Sequence, residues 1–298
     1  MAIYKLIPES VRRRLPDKIK DRYMYLNALT VLALKKVKTK LVFWVDEDDL
    51  ERWYREMNIF FILGIGRSGT KFLAYLLNMA DNAVVYHEPF DESIPYQEAY
   101  QNPDAAEKYI RDFRMKEIYL RVHKHSVNTY GEVNSYLRRH CEAIKKLIPN
   151  VKLIHLVRDG RDVVRSMYSR MTMKPWTYTT RYIYPLPDDP WRDQWDRMSR
   201  FEKLCWYWAT ENKYLRKCIN KFVRFEDIIR DYTYFKKNVL EYLNLDIPRE
   251  IWEREVNRPK NITIAHKLPH WSEWSSELIE AFKRICGDEM KIYGYKLD

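Results

Sequence analysis

The chain is poor in glycine and cysteine and has no long hydrophobic run. With seven glycines and thirteen prolines in 298 residues it holds no flexible linker and no low-complexity tract. Its four cysteines, Cys141, Cys205, Cys218 and Cys286, make no C-x-x-C pair and match no zinc spacing, which excludes a zinc ribbon and a disulfide-dense scaffold. Four reduced, mostly buried thiols are the expectation, with a Cys205–Cys218 bridge left open. The longest apolar run near the start, Met24 to Leu34, is interrupted by Asn27 and Thr30 and closed by Lys35 and Lys36. It is too short for a bilayer span, which takes about 20 residues. No secretory leader is visible, and a cytoplasmic protein is expected.

What is present builds a core. Hydrophobic residues make up 46% of the chain and aromatics 15%, enough for one large α/β domain or two small ones. The net charge of +11 suits a polyanionic partner, whether nucleotide, nucleic acid, acidic glycan or membrane surface, without choosing among them. Much of that charge lies early, in Arg12, Arg13, Arg14, Lys18, Lys20, Arg22, Lys35, Lys36, Lys38 and Lys40. Residues 1–56 read as a basic helical extension and residues 57–298 as the main domain. Within the extension, 1–45 is either a surface helix packed on the domain with solvated lysines, or a basic amphipathic helix making peripheral contact with a membrane or anionic polymer.

Three of the seven glycines fall within six residues, in Ile-Phe-Phe-Ile-Leu-Gly-Ile-Gly-Arg-Ser-Gly-Thr-Lys-Phe at 59–72. Ile59 to Leu63 is β-branched and aromatic, a buried parallel strand. After Lys71 the spacing of Phe72, Leu73, Leu76 and Leu77 is helical. A strand, a tight glycine turn and a helix N-terminus make an anion site, above all one for phosphate. Arg67, Ser68, Thr70 and Lys71 add side-chain donors beside Gly66 and Gly69. A nucleotide-triphosphatase loop needs Lys directly after its last Gly; here Thr70 comes first and Lys71 second.

Ala83 to Tyr86 reads as the next strand, ended by Pro89. That sets His87 and Glu88 at its carboxyl end, the edge of an open α/β sheet where ligands bind. Ile118 to Val122 is read as a further strand leading to His123, Lys124 and His125, and no third ligand lies near these histidines to complete a metal site. Residues 133–148 are read as a helix through Val133, Leu137, Cys141, Ile144 and Ile148. Val151 to Val157 is a strong strand, and Arg158-Asp159-Gly160-Arg161-Asp162-Val163-Val164-Arg165-Ser166 follows it. Arg158 at the strand end and Ser166 two turns into the next helix can converge on one phosphate, which an Arg fork binds in a bidentate way. The plainer reading of this stretch is an Arg158–Asp162 pair at a helix start. The aromatic, proline-containing stretch 171–200 is either an acceptor lid or a packed structural loop.

The Arg-Ser-Gly-Thr loop after an apolar strand, followed by an Arg and a Ser eight residues apart after a second strand, resembles the family of sulfotransferases that use 3′-phosphoadenosine 5′-phosphosulfate, here PAPS. In loop style it is most similar to the prokaryotic and carbohydrate members. Phe222 to Ile229 resembles the family's Arg-Tyr-Glu-Asp-Leu segment, a strand turning into a helix. The resemblance implies a P-loop-like, three-layer α/β fold with a mostly parallel central sheet and helices on both faces. It implies transfer of a sulfuryl group from PAPS to a small-molecule or glycan hydroxyl, without metal and without nucleic acid, leaving 3′-phosphoadenosine 5′-phosphate. It assigns Glu88 as general base, Arg67 with Lys71 to the charge on the leaving phosphate, and Lys124 to the bridging oxygen or the sulfonate. Gly66, Arg67, Ser68, Gly69, Thr70 and Lys71 would hold the 5′-phosphosulfate, Arg158 and Ser166 the 3′-phosphate, and Phe72 the adenine. Lys267 would belong to a basic closing loop, although the Arg-Lys-Gly form of that loop is not present. The rival readings are a P-loop nucleotide kinase and a basic nucleic-acid-binding module.

Overall fold

The computed structural model describes residues 15–40, 46–123, 125, 127–258 and 266–297. Five strands form one sheet in the order β2-β3-β1-β4-β5: β1 Asn58–Gly64, β2 Ala83–His87, β3 Thr129–Asn134, β4 Lys152–Val157 and β5 Phe222–Arg224. All four pairings are parallel. The central strand β1 is apolar along its length because both of its faces are covered. Ile59, Phe61 and Leu63 enter a cluster with Tyr54, Ile118 and Ile144, while Phe60 and Ile62 enter another with Phe72, Leu76 and Val239. Helices therefore lie on both faces and the fold has three layers. A third cluster packs helix Gly160–Tyr168 against Arg200–Cys218 and Ser276–Ile292 through Val164, Trp208, Phe282 and Met290.

β3 differs from the sequence reading. Residues 118–122 are not a strand; they end helix Met115–Val122, with Ile118 and Val122 buried one turn apart. The strand is Thr129–Asn134, so Val133 is not helical, and the helix of this region begins as a 3-10 turn at Leu137–His140 that runs into the α-helix Cys141–Leu147. β3 conceals its polar side chains. Glu132 ion-pairs with Arg114, which also pairs with Glu92 at 2.9 Å, all three fully buried. Asn134 Nδ2 donates to Glu92 Oε2 at 2.8 Å. Burial, opposed by Arg114 and reinforced by Glu132, pushes the Glu92 carboxyl up to about 7. Gly131 leaves space for the Phe60 ring, which lies 2.0 Å from where a Cβ would stand.

The cysteines also depart from expectation. Cys141 and Cys218 are joined by a disulfide across a Cα–Cα distance of 6.5 Å, and Cys205 and Cys286 are the buried free thiols. The bridge ties the helix before β4 to the helix before β5. Near it Glu211 is enclosed by two guanidinium groups. Arg138 Nε donates to Glu211 Oε2 at 2.8 Å and Arg139 Nε to Oε1 at 2.9 Å. Arg138 also donates to the carbonyl of Ser135, just beyond β3.

Helix Asp17–Lys40 packs on the stretch 171–200. Backbone N–H of Tyr178 donates to the Asp21 carboxylate at 2.9 Å, and Lys174 pairs with Asp17 at 3.1 Å. The same stretch is fixed to helix Ser93–Gln101: Gln97 Nε2 donates to the Tyr178 carbonyl at 2.8 Å, and Tyr100 OH to the Tyr184 carbonyl at 2.7 Å. No described helix is long and apolar enough to cross a membrane.

Candidate functional site

The carboxyl ends of β1, β2, β3 and β4 open on one cavity of about 480 Å³, within the usual size of a ligand site. The loop after β1 supplies its floor. Arg67 takes φ 77° and Gly69 φ 91°, so the chain reverses sharply before helix Thr70–Leu77 begins. Gly69 is required twice over: its φ disfavours a side chain, and a Cβ would stand 2.2 Å from the Phe225 ring. No side chain caps this helix, so its first N–H groups are left for a ligand beside Gly69, Thr70 and Lys71, which line the cavity.

Arg67 reaches across to the second motif. Its Nε donates to Ser166 Oγ at 2.9 Å, and Arg158 Nη1 donates to the Arg67 carbonyl at 3.2 Å. The sequence reading keeps these as two separate groups; the structure joins them along one wall. Arg158 also donates to Asp162 Oδ2 at 3.1 Å, so the plainer pairing is present as well. The wall is crowded with positive charge. Burial, together with Arg170 and Arg158, lowers the affinity of the Arg67 guanidinium for its proton. Arg165 and Lys71 line the same space. Burial and Arg165 lower the His266 pKa below its ordinary value, and burial with Lys71 lowers that of His87. An anion would relieve this mutual repulsion.

Glu88 stands at the end of β2 with φ 43°, a conformation rarely taken by a residue with a side chain. Its Oε1 accepts from the backbone N–H of Ser135 at 3.2 Å and from the Ser135 hydroxyl. Asn134 Oδ1 in turn accepts from the N–H groups of Tyr136 and Leu137, at 2.8 and 3.1 Å, which fixes the turn carrying Ser135. His87 Nε2 lies 3.0 Å from Thr70 Oγ1 and 3.8 Å from Glu88 Oε1, linking Glu88 to the loop.

The structure brings Gly66, Arg67, Gly69, Thr70, Lys71, Phe72, Glu88, Arg158 and Ser166 to the one cavity. Ser68 is buried, and its N–H closes the turn on the Ile65 carbonyl at 3.1 Å. Lys124 lies outside the described residues, and the strand expected to deliver it is the helix ending at Val122. Lys267 is exposed, its backbone N–H held by Ser169 Oγ at 2.9 Å; His266 is the member of that segment lining the cavity. Phe72 is nearly buried and meets Phe225 edge to face at 6.0 Å, with Arg158 over the Phe225 ring at 5.4 Å. Sequence reasoning missed Ser135, Tyr136, Arg165 and Phe225. Phe225 sits inside the recognised segment 222–229, where its neighbours Arg224 and Glu226 serve the scaffold: Arg224 Nε donates to Asp227 at 2.6 Å, and Glu226 accepts from Asp159 N–H at 3.0 Å.

A second cavity of about 380 Å³ shares Glu88 and Tyr136 with the first and is bounded by Phe90, Asp91, Asn27 and Val31. Asp91 accepts from Tyr178 OH at 2.7 Å. Glu88 thus lines both a cationic chamber and a second, more open one bordered by helix Asp17–Lys40.

Comparison with solved structures finds partial similarity to the sulfotransferase domain from the curacin biosynthetic pathway, at 16% identity and TM-score 0.47, covering 81% of this chain and 99% of that one. A sulfotransferase from Alicyclobacillus acidocaldarius is similar at 15% identity and TM-score 0.45, covering 80% and 96%. Mouse sulfotransferase SULT7A1 complexed with PAP is similar at 12% identity and TM-score 0.47, covering 82% and 90%. No curated protein matches the chain. Residues 58–249 match the model of the sulfotransferase family. That span exceeds half of the 298 residues and takes in the loop, Glu88, Arg158 and Ser166: the chain belongs to the sulfotransferase family.

Proposed function

We propose that the protein transfers a sulfuryl group from PAPS to an acceptor hydroxyl. The observation that carries this reading is that Arg67, Lys71 and Arg158 line one cavity together with Glu88. Arg67, Lys71 and the loop amides face the 5′-phosphosulfate; Arg158 and Ser166 face the 3′-phosphate; Phe72 and Phe225 form an aromatic wall for adenine. The acceptor enters from the second cavity. Its oxygen attacks sulfur in line as the bond from sulfur to the bridging phosphate oxygen breaks. Glu88 takes the acceptor's proton; Ser135 holds Oε1, which leaves Oε2 for it. The electron pair leaves on the 5′-phosphate, where Arg67 and Lys71 meet the new charge. Lys124, whose position is not described, is proposed at the sulfonate, and Lys267 as part of the closing segment with His266. Residues 57–298 are proposed as the catalytic domain and 1–56 as its extension.

The test is a thermal melt. 3′-Phosphoadenosine 5′-phosphate carries a phosphate at each end and engages both cation groups. At one hundred times its Kd it adds about 2.7 kcal/mol of stability. At roughly 2–4 °C per kcal/mol for a chain of this size, the midpoint rises by several degrees without Mg²⁺. A large rise with Mg-ATP and none with the bisphosphate restores the kinase; neither nucleotide acting, with tight salt-sensitive RNA or DNA binding, favours the nucleic-acid module.

Arg158→Ala is expected to weaken the bisphosphate by about 1.5–3 kcal/mol, the range for a hydrogen bond to a charged group. Adenosine 5′-phosphosulfate, which lacks the 3′-phosphate, should lose much less. Calorimetric titration of both ligands checks this, and equal losses would remove Arg158 from the 3′-phosphate.

A further inference from the structure

Helix Asp17–Lys40 has an inner face that packs and an outer face of unusual composition. Asp21 and Ala28 are buried against the domain. On the opposite side Ile19, Tyr23, Leu26, Leu34 and Val37 are exposed by 43, 40, 50, 66 and 54%. At about 100° per residue these five fall within an arc of roughly 80°. A helix docked on its own domain needs no second apolar stripe, and large exposed apolar patches on soluble proteins mark interaction sites. Lys18, Arg22 and Lys36, all exposed, border this stripe on one side. An apolar stripe with a cationic border fits the boundary between acyl chains and anionic headgroups, where apolar side chains sink a few ångströms and Lys or Arg meet phosphate.

We propose that this outer face docks the protein on the surface of an anionic lipid bilayer. A protein partner could cover an apolar stripe, but the cationic border and the net charge of +11 favour a surface of many negative charges over a single apolar groove. The placement relative to the site agrees. Asn27 and Val31, between the inner and outer faces of this helix, bound the cavity beside Glu88. Docking therefore sets the mouth of that cavity next to the lipid. The docking itself does not depend on the sulfuryl-transfer reading.

The test is sedimentation of the full chain with vesicles of phosphatidylcholine alone and with 30% phosphatidylglycerol, at low and high salt. The double variant Leu26→Asp/Leu34→Asp is run beside it. Wild type is expected to sediment with the anionic vesicles, to be released by salt, and to bind neutral vesicles at least tenfold more weakly. The variant should lose at least tenfold on anionic vesicles. Its melt with 3′-phosphoadenosine 5′-phosphate verifies folding and, because neither leucine lines the first cavity, should match wild type. No binding to either vesicle, or equal binding by wild type and variant, overturns the proposal. So does a wild-type dimer in sedimentation velocity that the variant breaks, since the face would then cover a second copy. Vesicle binding lost with the bisphosphate shift intact would leave the enzymatic reading standing.

Discussion

Glu88→Gln is expected to cut turnover by about 10²-fold or more, the scale of a lost general base, while binding of 3′-phosphoadenosine 5′-phosphate stays within about twofold. Glutamine keeps the shape of the side chain and an oxygen able to accept from Ser135. It keeps neighbouring Arg67 and Lys71 untouched, so the donor should bind as before. What it removes is the carboxylate able to take a proton from the acceptor. The measurement pairs kcat, using labelled PAPS and an acceptor found by screening, with a calorimetric Kd for the bisphosphate. Unchanged kcat would dismiss Glu88 as the base and transfer the role to His87. That imidazole lies at the end of β2 with its Nε2 3.0 Å from Thr70 Oγ1.

Glu211→Ala is expected to destabilise the fold by about 3–5 kcal/mol, the usual cost of removing one partner from a buried ion pair. Arg138 and Arg139 are almost wholly buried and both depend on this carboxylate. Alanine leaves two guanidinium groups without a counter-charge and also loosens Arg138's hold on the Ser135 carbonyl. At roughly 2–4 °C per kcal/mol the melting midpoint falls by about 6–20 °C. Burial alone would raise the Glu211 carboxyl, but Arg139 and Arg138 hold it below its ordinary value of 4.5. With the folded value depressed, its contribution is fully present above the unfolded pKa and disappears as pH falls through the folded one. The gap between wild type and variant should thus be widest at neutral pH and close in acid below about pH 4.5. Melts across pH 3–8 would show it, and a constant gap, or a variant as stable as wild type, would contradict the account.

The parts legible in the sequence were those where local and global signals agree. Ile59 to Leu63 is a continuous apolar run, Val151 to Val157 is broken only by Lys152 and His155, and each is followed by a cluster of side-chain donors. Their strands, turns and helices stand where the pattern put them. β3 was hidden because its sequence, Thr-Tyr-Gly-Glu-Val-Asn, buries polar groups whose partners are distant: Arg114 for Glu132, Glu92 for Asn134. The apolar run at 118–122 drew the strand reading instead, since a short run cannot separate a strand from a buried helical turn. With β3 displaced, Ser135 could not be seen as a partner of Glu88. Phe225 was unreadable for a similar reason, because the residue that demands it, Gly69, is far away in sequence. The Cys141–Cys218 pairing is likewise a product of topology, the two lying at a sequence separation of 77.

The position of β1 has a consequence for synthesis. It is the central strand and the most apolar one, yet both of its neighbours come later in the chain. Asn58 is opposite Thr129, 71 residues on, and Phe60 is opposite Lys152, farther still. At about 5–20 residues per second a ribosome needs roughly 4–14 seconds to make the first of these partners. Over that interval Ile-Phe-Phe-Ile-Leu is an unpaired strand of the kind that associates with other chains. The segment that anchors the glycine turn of the cavity floor in the finished protein is thus the one in greatest need of shelter while the chain is being made.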